Sequence, residues 1–248
     1  MKMFSIASFR VTGHWLLLLS LLTPSLQAQQ ATVADDTQRA ANLPSGINDN
    51  FLSPELDPEE FIKRFEVESR EVFACREQIL ASIQLSKGMS VADVGAGTGL
   101  YMKALSKSVG ESGHVYSVDI SPNFVKHLRK RATDEGLDNV EVVFCNDRNS
   151  NLKPGSVDRV FICDTYHHFE YPASTLASIH AALRPGGKLI LVDFTNKGEG
   201  DRGQWLNNHI RAPKEVFQQE IEDAGFDLEE EVNVEGFKEN YLLRFTKK

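Results

Sequence analysis

The sequence predicts an α/β fold, a doubly wound, mostly parallel sheet with helices on both faces. Two observations carry that reading. The first is Asp93-Val94-Gly95-Ala96-Gly97-Thr98-Gly99, a glycine-rich turn between a strand-like segment over 89–92 and a helix-like one over 100–109. The second is the alternation of β-type and helical runs, joined by short links, that continues to about Phe245. Such alternation is the pattern of a parallel sheet covered on both sides.

Three glycines alternating over five residues let the backbone turn sharply and approach a ligand without Cβ interference. The next strand, Val115 to Val118, ends on Asp119. A helix over 121–135 opens on Ser121-Pro122, a capping serine followed by a proline in the first turn. A strand at 139–144 leads into Asn146-Asp147, and a further strand runs from Ser156 to Asp164. Helix 172–183, the turn Arg184-Pro185-Gly186-Gly187-Lys188 and a strand over 189–194 follow. A loop over 201–213 then precedes helix 214–224, closed by Gly225-Phe226, and two strand-like runs lie at 229–234 and 241–246.

A glycine turn, a helix and an acid at the next strand end together hold a nucleoside, with backbone against the ligand and a carboxylate on ribose hydroxyls. The dinucleotide spacing G-x-G-x-x-G requires glycine at position 100, where Leu100 stands. The pattern is instead G-x-G-x-G with an acid two residues upstream, which resembles the class I S-adenosylmethionine-dependent methyltransferases. The resemblance covers residues 88 to about 245, with five motifs in order, including Leu-Arg-Pro-Gly-Gly-Lys-Leu before the fifth strand. It implies a Rossmann-like sheet of seven strands with a C-terminal antiparallel hairpin, S-adenosylmethionine as cofactor, and a small-molecule acceptor whose nucleophile (O, N or C) is left open.

The resemblance also implies a set of cofactor-binding residues: Asp93, Gly95, Ala96, Gly97, Gly99, Asp119, Ile120, Asn146, Asp147 and Asp164. The glycines would wrap the amino-acid end, with Asp93 holding the loop or the ammonium. Asp119 would accept from both ribose hydroxyls and Asp147 would meet the adenine amino group, although Asn-Asp is also ordinary turn chemistry. Asp164 to Pro172 leaves the carboxyl end of the fourth strand, where ligands bind in open α/β sheets. His167 and His168 are the catalytic candidates, since an oxygen acceptor of high pKa benefits from a base. Tyr166, Trp205, His209 and Arg211 are candidates for acceptor contact, and Arg211 can steady an anionic one.

No metal is predicted. Thiols and imidazoles do not cluster at zinc-type spacings, and the Asp164, Asp193 and Asn196 set, although it resembles a magnesium site, also suits metal-independent relatives. Cys75, Cys145 and Cys163 form no paired framework. Cys145 and Cys163 are expected on neighbouring strands as small apolar residues.

With 248 residues and 41% hydrophobic content, the chain suffices for one good-sized core. Its net charge of −8 argues against nucleic acid held in a basic field. The cluster Lys126, Arg129, Lys130 and Arg131 reads as a solvated helix face. Lys2 and Arg10, the apolar run Trp15 to Leu22 and Thr23-Pro24-Ser25-Leu26-Gln27-Ala28 read as a signal peptide over 1–28. The run is short for a membrane span. Its removal takes two positive charges and no acid, moving the net charge to −10. Residues 29–58 read as a linker and 59–87 as a helical cap, leaving 88–248 as the cofactor-binding domain. In the cap, Phe61, Phe65, Val72, Ile79 and Ile83 recur at helical spacing, and Arg64, Glu68 and Arg70 are weak site candidates. Export favours an alternative, a non-catalytic binder of S-adenosylmethionine or a nucleoside on the same fold. A nicotinamide-dependent oxidoreductase is disfavoured by Leu100.

Overall fold

The computed structural model describes residues 1, 39–195 and 200–248. The signal-peptide reading of 1–28, the first part of the linker, and Asn196 lie outside these residues. The architecture below belongs to the unit spanning 35–248.

Seven strands form one sheet: β1 (Ser90–Val94), β2 (His114–Asp119), β3 (Val140–Phe144), β4 (Val157–Cys163), β5 (Leu183–Phe194), β6 (Phe226–Glu231) and β7 (Asn240–Lys247), in the order β3-β2-β1-β4-β5-β7-β6. Strands β1 to β5 pair in parallel, whereas β7 runs antiparallel to both β5 and β6. The expected C-terminal hairpin is therefore present. The strand order reverses between β1 and β4, which both start near the sheet centre, and ligands of such sheets collect outside that point.

Both faces of the sheet are buried, and period-two alternation divides the strand residues between them. Ala92, Val94, Val160, Ile162, Leu189, Leu191 and Phe245 join one core with Leu176, Ile179 and Phe217. Val91, Phe161, Ile190, Val192 and Leu242 join the other with Ile79, Ile83, Leu105 and Val109. Helices α5 (Met102–Val109), α6 (Pro122–Asp134), α7 (Pro172–Ala182), α8 (Gly200–His209) and α9 (Lys214–Asp223) connect the strands, after α1 (Asp49–Leu52), α2 (Pro58–Phe65), α3 (Glu71–Ala74) and α4 (Arg76–Ser82) at the N-terminal side. Ser121 caps α6 by accepting from the Phe124 amide, with Pro122 in the first turn, as its sequence predicts. No helix among the described residues is long and apolar enough to cross a membrane.

Several expectations are corrected. Residues 39–57 are built into the fold rather than strung out as linker: Ile47 and Leu56 are buried, and Asn48 binds the backbone and side chains of 168–170. Isolated apolar residues in a polar stretch carry no periodicity, so their anchoring role does not show in sequence. The single cap helix is three short ones, broken around Glu66–Ser69 and at Cys75. The loop 201–213 holds α8, whose two glycines weaken the helical signal that buried Leu206 makes good. Strand β5 starts at Leu183, paired with Val157, and an irregularity carries the Pro-Gly-Gly turn before Lys188 joins Arg159. Cys163 ends β4 and Cys145 follows β3, two strands that are not neighbours. Arg131 leaves the solvated face of α6 to pair with Glu66 at 2.9 Å and the Thr98 carbonyl at 2.9 Å.

Candidate cofactor and acceptor cavity

A cavity of about 1170 Å3 opens above the carboxyl ends of β1, β2 and β4. Its floor is the glycine turn. Gly95, Gly97 and Gly99 all have positive φ, of 81°, 53° and 83°, a region costly to any residue with a Cβ. Beyond that shared need, the three differ. A Cβ on Gly95 would lie 2.2 Å from Thr165 Cγ2, so this glycine permits close packing of the β1 and β4 loops. A Cβ on Gly99 would meet Leu128 and Met102, and Gly99 does not line the cavity. At Gly97 a Cβ would meet nothing nearer than the Gly95 carbonyl at 3.9 Å, and Gly97 does line the cavity. Gly99 is thus corrected to a packing residue, while Gly97 presents bare backbone to a ligand-sized space.

Asp119 ends β2 beside this turn. Its Oδ2 accepts from the Gly97 amide at 2.8 Å and its Oδ1 from the Ser121 amide at 2.8 Å. Burial raises its pKa to about 6, opposed by the amides of Ser121, Gly97 and Ile120. The carboxylate therefore clamps the glycine turn, and each oxygen keeps a second lone pair for another donor. Asp93, also buried on the cavity wall, is raised to about 7 by burial and then by the charge of Asp119. Ala96, Ile120, Asn146 and Asp147 line the same space. Asn146 spends its Oδ1 on the Arg148 amide at 2.9 Å, which is the turn chemistry its sequence also allows.

Asp164 lines the cavity at φ 47°, a strained value for a residue with a side chain. Arg70 pairs with its Oδ2, and Asn240 donates to its Oδ1 at 2.7 Å. Burial raises its pKa to about 7, with Arg70 pulling down and Asp193 pushing up. Of the weak cap candidates, Arg70 and Arg64 reach the cavity, whereas Glu68 lies exposed beside Arg76.

The acceptor end carries imidazoles. His167 lies in a 3-10 turn (Tyr166–His168); its Nδ1 is 2.6 Å from Asp193 Oδ1, and its amide donates to Oδ2 at 3.1 Å. His168 Nδ1 is 3.1 Å from Asn48 Oδ1. His209, at the end of α8, stacks on Trp205 with centroids 4.5 Å apart. Burial holds both His167 and His168 well below 6.5; His209 and Arg211 add to this at His167, and His167 and His209 at His168, where a hydrogen bond to the Ile47 carbonyl opposes it. Burial lowers His209 as well, against the charge of Asp193. Phe51, Phe61, Phe65 and Phe124 close the remaining wall under the cap.

Tyr166 and Arg211 do not join them. Tyr166 is fully buried and donates to Glu220 Oε2 at 2.8 Å, while Arg211 forks onto both Glu220 oxygens at 2.8 and 2.6 Å. Neither lines the cavity. The triad ties the β4 loop to α9, so both residues are corrected from acceptor contact to packing. Three residues of this site escape sequence reading. Asn48 and Asn240 lie far along the chain from their partners, and Thr165 touches Gly95 only through the fold. Asp193 is legible at its strand end beside Asp164, but its bond to His167 is not.

Residues 92–191 match the model of the methyltransferase domain family. A demethylmenaquinone methyltransferase of Listeria monocytogenes is 28% identical over 142 residues, 57% of this chain and 60% of that protein. A ubiquinone/menaquinone biosynthesis C-methyltransferase of Bordetella parapertussis is 32% identical over 108 residues, 44% of this chain and 42% of its own length. The chain thus covers less than two thirds of these relatives. The crystal structure of a SAM-dependent methyltransferase from Aquifex aeolicus superposes with a TM-score of 0.67 at 27% identity, covering 77% of this chain and 99% of that one. The fold is thus that of the Aquifex aeolicus SAM-dependent methyltransferase, and residues 92–191 match a methyltransferase domain.

Proposed function

We propose that this chain transfers a methyl group from S-adenosylmethionine to a small, ring-bearing, largely apolar acceptor. The observation that carries it is the bare backbone of Gly97, clamped by Asp119 and facing a cavity whose far wall is aromatic and imidazole-rich. S-adenosylmethionine supplies, when bound, a methyl group made electrophilic by its positive sulfur. The chain's part is alignment and exclusion of water. Ala96, Gly97, Asp119, Ile120, Asn146 and Asp147 would hold the cofactor, with Asp93 toward its ammonium. The phenylalanine wall and Trp205 would hold the acceptor flat. By their names, one of the relatives above is a demethylmenaquinone methyltransferase and the other a C-methyltransferase of ubiquinone/menaquinone biosynthesis, and a ring-bearing acceptor suits this wall. His167 and His168, neutral at pH 7, are the groups placed to receive an acceptor proton.

Calorimetric titration with S-adenosylmethionine and its demethylated product, beside Asp119→Ala, tests the cofactor. Micromolar binding lost in the variant is expected. Binding without transfer to any of a panel of quinols and phenols would favour the alternative, an exported binder without turnover. The sequence feature behind that alternative, residues 1–28, also leads us to propose export to the periplasm or medium. N-terminal sequencing of the exported chain should then begin at Gln29, whereas a start at Met1 refutes cleavage.

A further inference from the structure

Three imidazoles from two distant parts of the chain meet at the acceptor end of the cavity. One ring nitrogen each of His167, His168 and His209 lies within 4.8 Å of those of the other two, and the ring centroids are 4.3 to 5.1 Å apart. Among the described residues no other set of histidine, cysteine or acidic side chains converges in this way. Three nitrogens bound tetrahedrally at about 2.0–2.1 Å from zinc are about 3.4 Å apart, so closure needs ring shifts of order 1 Å.

Each ring is also oriented by something else. Asp193 fixes His167 through Nδ1 at 2.6 Å, Asn48 meets His168 at 3.1 Å, and Trp205 stacks on His209. A buried carboxylate behind a histidine is the support that metal-binding imidazoles ordinarily have, because it sets the tautomer and raises ligand basicity. Asp193 is 0% exposed, yet among the described residues its ion-pair partner is His167 alone. Arg211, whose charge reaches it, is already paired with Glu220. Asp193 spends its oxygens on the His167 ring, the His167 amide and the Phe194 amide at 2.7 Å, which holds the ring from behind.

We propose that His167, His168 and His209 bind one divalent transition-metal ion, zinc or a first-row neighbour, with Asp193 supporting His167 from behind. All three histidines line the cavity, so the remaining coordination position opens toward the acceptor and suits an oxygen donor. That the acceptor's oxygen takes this position rests on the methyl-transfer reading, and with the ion bound His167 and His168 hold it instead of receiving a proton; the binding of the ion does not rest on that reading.

The test uses the full-length chain, free of any polyhistidine tag and stripped by chelator. It is titrated with Co2+ by visible absorption and with Zn2+ by calorimetry. One equivalent should bind, with the cobalt spectrum of a four-coordinate site. His209→Ala and His168→Ala should each weaken binding more than about 100-fold, and Asp193→Asn about 10- to 100-fold. His114→Ala, on the outer part of β2, should leave it unchanged. Titrating S-adenosylmethionine into the same samples separates the two ideas. Cofactor binding without ion binding overturns the metal site and leaves methyl transfer standing, while the reverse does the opposite. Equal ion affinity in the parent and all three site variants, each folded by circular dichroism, overturns the site as well.

Discussion

Gly95 and Gly97 stand two residues apart in one turn, and exchanging each for alanine should produce opposite losses. Alanine at Gly95 meets two penalties. Its φ of 81° costs an L-residue about 1–2 kcal/mol. Its Cβ would sit 2.2 Å from Thr165 Cγ2 and 2.6 Å from Oγ1, an overlap worth about 1–3 kcal/mol in a packed region. Together these give about 2–5 kcal/mol, a large share of the roughly 5–15 kcal/mol that holds a domain folded. Alanine at Gly97 carries only the backbone penalty, about 1 kcal/mol, since no atom lies within 3.9 Å of its Cβ. Its methyl group should instead occupy space that the cofactor needs, weakening S-adenosylmethionine by about tenfold or more. Urea denaturation and calorimetry on both variants measure the two effects. Thr165→Ala added to Gly95→Ala removes the two closest atoms and should recover part of the lost stability. Full S-adenosylmethionine affinity in a stable Gly97→Ala protein would refute the role given to this turn. So would a Gly95→Ala protein as stable as its parent.

Three further outcomes follow from the same geometry. Arg211→Met breaks the fork onto Glu220, whose side chain is 28% exposed, and should cost about 2–3 kcal/mol in thermal or urea unfolding. S-adenosylmethionine affinity should not change; a loss of affinity at unchanged stability would restore Arg211 to the ligand. Asp93→Asn tests a buried acid whose pKa is raised from 3.8 to about 7, mainly by burial. The stabilisation from its bound proton is complete below pH 3.8 and lost as pH climbs through 7, so the asparagine variant should gain on the parent over that window by a few kcal/mol. Melting curves at pH 5 and 8 decide it, with a constant difference as the refuting result. Asn48→Ala removes the hydrogen bonds to the His168 carbonyl and Glu170. Limited proteolysis should then cut within 39–57 several times faster, and an unchanged rate would show that the segment's other contacts, among them buried Ile47 and Leu56 and the Asn123 side chain on the Pro54 and Leu56 carbonyls, suffice to hold it.

What could be read from residues alone was whatever rests on local pattern. Strand–helix alternation reports burial on both faces of a sheet, and it placed the closing hairpin and six of the seven strands within about three residues, while β5 starts six residues before its expected place. The glycine spacing reports backbone conformation, so the glycine turn and the place of Asp119 beside it were legible. Failures occurred where partners come from distant segments. Tyr166 and Arg211 looked like acceptor contacts by position, but α9 brings Glu220 against both, and that contact depends on packing, which has no sequence period. The loop 201–213 concealed α8 because burial of Leu206, not helix propensity, stabilises it.

The chain by itself determined the class of fold and the register of the glycine turn, since backbone freedom and hydrophobic period are properties of neighbouring residues. Only tertiary structure decided that a Cβ on Gly95 would strike Thr165 while one on Gly97 would stand in open cavity. It also decided that Asp193 supports His167, and that His209 joins two histidines from another strand end. Those are meetings of side chains across the sheet, set by strand order and helix packing, and no spacing along the chain encodes their distance.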